Sequence, residues 1–116
     1  MPELATILAM TGPARFEIIV DEAVAAHFAA LERRDHALIL DAIAEQLAHE
    51  PTQQTRNRKT LRIPNSLNAT WELRCGMNNR YRVFYDVDVE DGAVIVLAVG
   101  RKVGNRLIIG HEELIL

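Results

Sequence analysis

The chain has 116 residues, 49% of them hydrophobic and 25% charged, which is enough for one domain around a single core and too little for a second. Its apolar runs, such as 36–43 and 93–99, fall well short of the roughly 20 residues a membrane-spanning helix needs, and a lone cysteine, Cys75, closes no intrachain disulfide. The formal net charge of -3 excludes a protein that is basic throughout, but the sign is unevenly spread: residues 51–82 carry seven cations against one acid, Glu72, between two acidic flanks.

The opening MPELATILAM has neither the basic start nor the long apolar run of a secretory signal, so a cytoplasmic chain is expected. Residues 1–15 read as a flexible lead-in to a single domain over 16–116. Phe16, Ile18 and Val20 fall on every second position, the pattern of a short half-buried strand. Asp21 is placed to cap a helix, since its carboxylate can accept from the free amides of a first turn. Val24, Phe28 and Leu31 follow at helical spacing. The polar stretch 32–35 breaks that helix and offers Asp35 as a second cap. Ile39, Leu40, Ile43 and Leu47 then make one apolar stripe, and Pro51 stops it. The first half therefore reads as a strand and a helical hairpin.

Residues 52–68 turn to Gln, Thr, Arg, Asn and Ser and read as a basic, mostly extended connection. Connections longer than about 12 to 15 residues without regular structure tend to be functional. Three strands are predicted next, over 70–75, 81–87 and 94–100. The turns between them carry Gly76-Met77-Asn78-Asn79 and Glu90-Asp91-Gly92, residues that accept positive φ. The last of the three is apolar on both faces and belongs in the middle of a sheet. Leu107, Ile108 and Ile109 suggest a further edge strand. The fold class is α+β: an N-terminal strand and helical hairpin packed on a mainly antiparallel four- to five-stranded sheet.

Alternation along the strands puts Trp71, Leu73 and Cys75 on one face with Val83, Tyr85 and Val87, and Glu72 and Arg74 on the other with Arg82, Phe84 and Asp86. The first set suits packing under the helices; the second is expected on an open face. Two readings of the open face compete. Glu72 between Arg74 and Arg82 is ordinary cross-strand pairing, contributing from tenths of a kcal/mol to about 1 kcal/mol. Alternatively, the arginines hold an RNA phosphate and stabilise charge developing on it. Phe84 on that face suits either stacking on a base or a patch for a partner.

The run Trp71-Glu72-Leu73-Arg74-Cys75-Gly76, then Tyr81-Arg82-Val83-Phe84-Tyr85-Asp86-Val87, then Val94 through Gly100-Arg101-Lys102, resembles the sheet of RelE/ParE-type toxins of type II toxin-antitoxin modules. The preceding strand, hairpin and basic link Thr55-Arg56-Asn57-Arg58-Lys59 fall in the same order, so the resemblance covers about 16–102. It implies two branches. RelE-like members cut mRNA in the ribosomal A site without a metal or other cofactor, using a base on the ribose 2′-hydroxyl, cations for the phosphate and an acid for the leaving oxygen. ParE-like members share the fold, lack those residues and poison DNA gyrase.

For the first branch the resemblance implies Arg82 as the arginine on the phosphate, Arg74 as the basic strand residue, and Arg101 and Lys102 as the basic pair after the last strand. Arg56, Arg58, Lys59 and Arg62 are the expected RNA-binding residues of the link. Two departures stand out. Glu72 occupies the position of a lysine in the ribonuclease prototype, though some members use a glutamate as base, and no Tyr or His follows Lys102 at the usual position. That leaves Glu72 as candidate base and His111 as the only late candidate for the acid. The expected function is mRNA cleavage on the ribosome, with a non-catalytic protein of the same fold, either gyrase-directed or inert, as the alternative. The expected partners are a cognate antitoxin, whose acidic segment would suit 56–82, and the ribosome and mRNA in the first branch. A homodimer or a toxin-antitoxin hetero-oligomer both fit, and no membrane is involved.

Other chemistry has little support. The four histidines, His27, His36, His49 and His111, are too widely spaced for a metal-ligand pair, and one cysteine builds no zinc site. Cys75, on the core side of a strand, reads as a small buried hydrophobe rather than a nucleophile. No glycine-rich loop precedes a helix, so nucleotide hydrolysis is not expected.

Overall fold

The computed structural model describes residues 15–116; the expectations for the lead-in lie almost wholly outside them. Strand β1 (Glu17–Val20) is followed by helix α1 (Ala23–Ala29), a 3-10 turn over Arg33–Asp35, and helix α2 (His36–Leu47). Six strands complete the chain: β2 (Arg58–Thr60), β3 (Trp71–Cys75), β4 (Tyr81–Asp88), β5 (Ala93–Val103), β6 (Arg106–Ile109) and β7 (Glu112–Leu114). All belong to one sheet in the order β2-β3-β4-β5-β6-β7, antiparallel throughout, with β1 added parallel to β5. The α+β architecture is as the sequence reads. The sheet is wider, because the connection 52–68 contains β2 and the tail returns as β7, both too short to show a period.

The helices form where the apolar spacing placed them. Asp21 Oδ1 accepts the Ala23 N–H at 2.9 Å and so serves the free end of α1. Asp35 makes no such cap; its carboxylate instead accepts the Tyr81 hydroxyl, tying the hairpin to the start of β4. Ile39, Ile43 and Leu47 of α2 are buried, and past its end the Pro51 carbonyl accepts the Tyr85 hydroxyl at 2.6 Å. Ile39, Ile43 and Leu47 join Val24, Leu73, Cys75, Val83, Tyr85, Val94, Val96 and Val99 in one core between helices and sheet.

Strand β5 fits its two-sided burial through a bulge. Phe84 faces Ala98 and Tyr85 faces Val96, so Leu97 has no partner on β4. The extra residue shifts the alternation and lets Val99 join Val94 and Val96 on the helical side. Gly100 is required just beyond: a Cβ there would stand 2.6 Å from the Ile108 carbonyl oxygen on β6, a backbone atom with no room to move.

The other face of the sheet is not open. Phe84, Ala98, Leu107, Ile109 and Ala69 are buried in a second core, closed by Leu61, Leu67, Leu97 and Leu114. The long connection and the β6–β7 hairpin fold over this face. Phe84, expected on the open face either to stack on a base or to form a patch for a partner, is fully buried, because segments without legible periodicity supply its cover.

Candidate functional site

Register brings the charged residues of the second face together beside that core. Lys59 on β2 faces Glu72 on β3. Arg74 faces Arg82 on β4, and Arg82 faces Gly100 on β5, two residues before Lys102. Four cations thus surround one acid. The Arg74 Nε donates to Glu72 Oε1 at 2.7 Å, and the Arg82 Nη1 donates to the same oxygen at 3.3 Å. Glu72 is 6% exposed, so this is a buried ion-paired cluster rather than a solvated cross-strand pair, and its charges must be matched to be tolerated. The side chain of Arg82 is nearly as buried as that of Glu72, and Arg74 is about one-third exposed.

A cavity of about 210 Å³ opens on this cluster, lined by Glu72, Arg82, Lys102, Asn105, Arg106 and Glu113 and, on one side, by the tail 114–116. Ser66 Oγ donates to the Ile115 carbonyl at 3.4 Å, which holds the tail across the mouth. The charges present suit an anionic ligand: Glu113 is paired with Arg106 at 3.3 Å, while Lys102, Arg74 and Arg82 supply more donors than Glu72 uses, and guanidinium donors pair well with phosphate or carboxylate. Asn105 and Arg106 carry no signal in the sequence. They arrive because the chain turns at Gly104, φ 61°, straight back into β6.

The remaining expected residues are scattered. Arg58 faces Leu73, on the helical side, and is 6% exposed. Its Nε donates to the Gln53 carbonyl at 2.9 Å and its Nη1 to the Gln46 carbonyl at 3.1 Å, while Glu50 lies 3.8 Å away. It closes the end of α2 and is not available to RNA, a correction that follows from strand alternation once 58–60 is recognised as β2. Arg101 faces Tyr81 and lies on the side opposite Lys102, in a depression with Glu32 and Arg80. The expected basic pair is therefore split across the sheet, as neighbours on a strand must be. Arg56 is exposed one residue before Asn57, whose carbonyl accepts the Arg74 N–H at 2.7 Å. Arg62 is exposed beyond the other end of β2, past Thr60, which faces Trp71. His111 is exposed in the β6–β7 turn and lines a different depression, with His27 and Ser66.

Burial tunes the neighbouring groups. It pushes the Cys75 thiol up to about 11, against a smaller opposing pull from Arg82, and it raises the Tyr85 hydroxyl, opposed by Arg58. Neither is a nucleophile near neutral pH.

Comparison with known proteins agrees with the architecture. The family model described as the ParE toxin of type II toxin-antitoxin systems, parDE, matches residues 18–103. The chain is similar to a solved structure of the toxin-antitoxin complex RelBE2 from Mycobacterium tuberculosis: 25% identity and a TM-score of 0.62, covering 77% of this chain and 93% of that one. No curated protein sequence matches it.

Proposed function

Since the chain belongs to the ParE toxin family of type II toxin-antitoxin systems, we propose that it is a toxin that acts by binding its target rather than by cutting RNA, and that a cognate antitoxin silences it. Lys59, Arg74, Arg82 and Lys102 are the residues that meet an anionic group of the target, in the cytoplasm. The resemblance points to DNA gyrase. The observation that carries this reading is the state of Glu72. A general base must come within hydrogen-bond reach of the proton it takes, whereas Glu72 is buried and its Oε1 is held by both Arg74 and Arg82, which ties the carboxylate into the ion-paired cluster. The residues lining the cavity include neither Tyr nor His to serve as the acid.

A second reading, ribosome-dependent mRNA cleavage, draws on a specific observation too. One cavity holds Glu72 beside Arg82 and Lys102, the minimum for activating a 2′-hydroxyl and holding a phosphate. In that reading Glu72 is the base, and His111 must move to become the acid.

Induced expression separates the two. For a binding toxin, growth stops, gyrase-trapped DNA breaks accumulate, mRNA stays intact, Glu72→Gln remains toxic and Arg82→Ala loses toxicity. Codon-linked mRNA cuts that disappear in Glu72→Gln would establish cleavage instead. Unimpaired growth with the wild-type chain would overturn both.

A further inference from the structure

A second concavity, of about 500 Å³, opens on the helical side where β1, α1 and α2 meet. Its floor is Val24, Ile43 and Val96, all buried. Its lips are Val20 and Leu40, which stand 52% and 53% exposed. Large aliphatic side chains left in water around an apolar hollow mark a surface that something covers.

The charges beside it are of one sign. Among the described residues, Asp21 and Glu22 are the only charged ones lining the groove. Asp41 and Glu45, both exposed, follow Leu40 and Ala44 along α2. Strand β1 pairs only with β5, so its outer edge has no partner strand among the described residues.

We infer that this groove docks an apolar segment of the antitoxin whose flanks carry Lys or Arg. The inference rests on the toxin reading above and adds where the partner sits and what chemistry it brings. The hollow calls for an apolar insert, and the acidic lips call for cations beside it. A second copy of this chain would bring the same acids against these lips, so self-association is opposed by like charge. An acidic segment, which the basic stretch 56–82 would attract, is repelled here. The groove and the basic end of the sheet therefore take different stretches of the partner.

The test uses the full chain and its cognate antitoxin, both purified, with affinity measured calorimetrically and amide exchange followed on the complex. Leu40→Glu and Glu22→Lys are each expected to weaken binding about tenfold or more, and Met77→Glu, a charge added at an exposed site in the β3–β4 turn, by less than about threefold. Exchange should slow over 20–28 and 40–44. Circular dichroism checks that the variants fold; if Leu40→Glu does not, Glu22→Lys alters only an exposed charge and decides the matter. Unchanged affinity in Glu22→Lys and Leu40→Glu, or protection confined to the basic end, would overturn the docking site while leaving the toxin reading intact. A wild-type chain that binds no antitoxin would instead overturn that reading. Sedimentation showing a dimer that Leu40→Glu dissociates would assign the groove to a second copy.

Discussion

The Nδ1 of His27 accepts the backbone N–H of Val99 at 3.2 Å. On that edge of β5, β1 pairs with 93–96 and β6 with 100–103, so a helix residue fills the gap between two strands that share one edge. An accepting Nδ1 requires a neutral ring with its proton on Nε2. Burial holds His27 below its ordinary 6.5, with Asp21 partly opposing. The folded state therefore binds fewer protons than the unfolded one, and stability falls as pH drops below 6.5. His27→Gln, which can accept the same N–H without titrating, should show a shallower loss of Tm between about pH 7 and 5. Parallel Tm curves for the two proteins would refute the assignment.

The Glu72 cluster predicts unequal roles for its two arginines. Removing Arg82 leaves the buried carboxylate ion-paired to the more exposed Arg74 alone, and Arg82→Ala should cost about 2 kcal/mol or more in denaturant unfolding. Arg74→Ala should cost less than half as much. In a double-mutant cycle, Glu72→Ala with Arg82→Ala should show a coupling of about 1 kcal/mol or more. Strictly additive losses would mean that the pair is not held as described.

Phe84 and Arg58 are assigned structural roles, and their substitution should read out as stability. Phe84→Ala, which opens a cavity in the second core, should cost about 3 to 5 kcal/mol. Arg58→Met gives up charge-assisted hydrogen bonds to the end of α2, each worth about 1.5 to 3 kcal/mol. Below their melting temperatures, both variants should keep the wild-type affinity for the target. A folded Phe84→Ala that loses target binding would restore the surface role the sequence suggests.

Cys75 should resist alkylation while the chain is folded. With its thiol raised from 9.0 to about 11, the thiolate fraction near neutral pH drops by about a hundredfold, and burial slows access further. Iodoacetamide labelling followed by mass spectrometry should be about a hundredfold slower in buffer than in urea; equal rates would place the thiol at the surface.

The sequence determined what local periodicity controls. The spacing of Ile39, Ile43 and Leu47, the alternation along 71–75 and 81–87, and the two-sided apolar run at 94–99 fix the helices, the central strands and, on β3 and β4, the face of each side chain. Those signals placed Glu72, Arg74 and Arg82 on one surface. Tertiary structure decided what covers that surface. Strand β2 has three residues and β7 has three, too few for a period to declare itself. Yet β2 turns Arg58 inward and Lys59 toward Glu72, and the hairpin β6–β7 buries Phe84 and brings Arg106 and the tail to the charged cavity. Which polar side chains become buried, and which apolar ones stay exposed around the groove of β1, α1 and α2, depends on contacts between segments distant in the chain, and no local pattern records them.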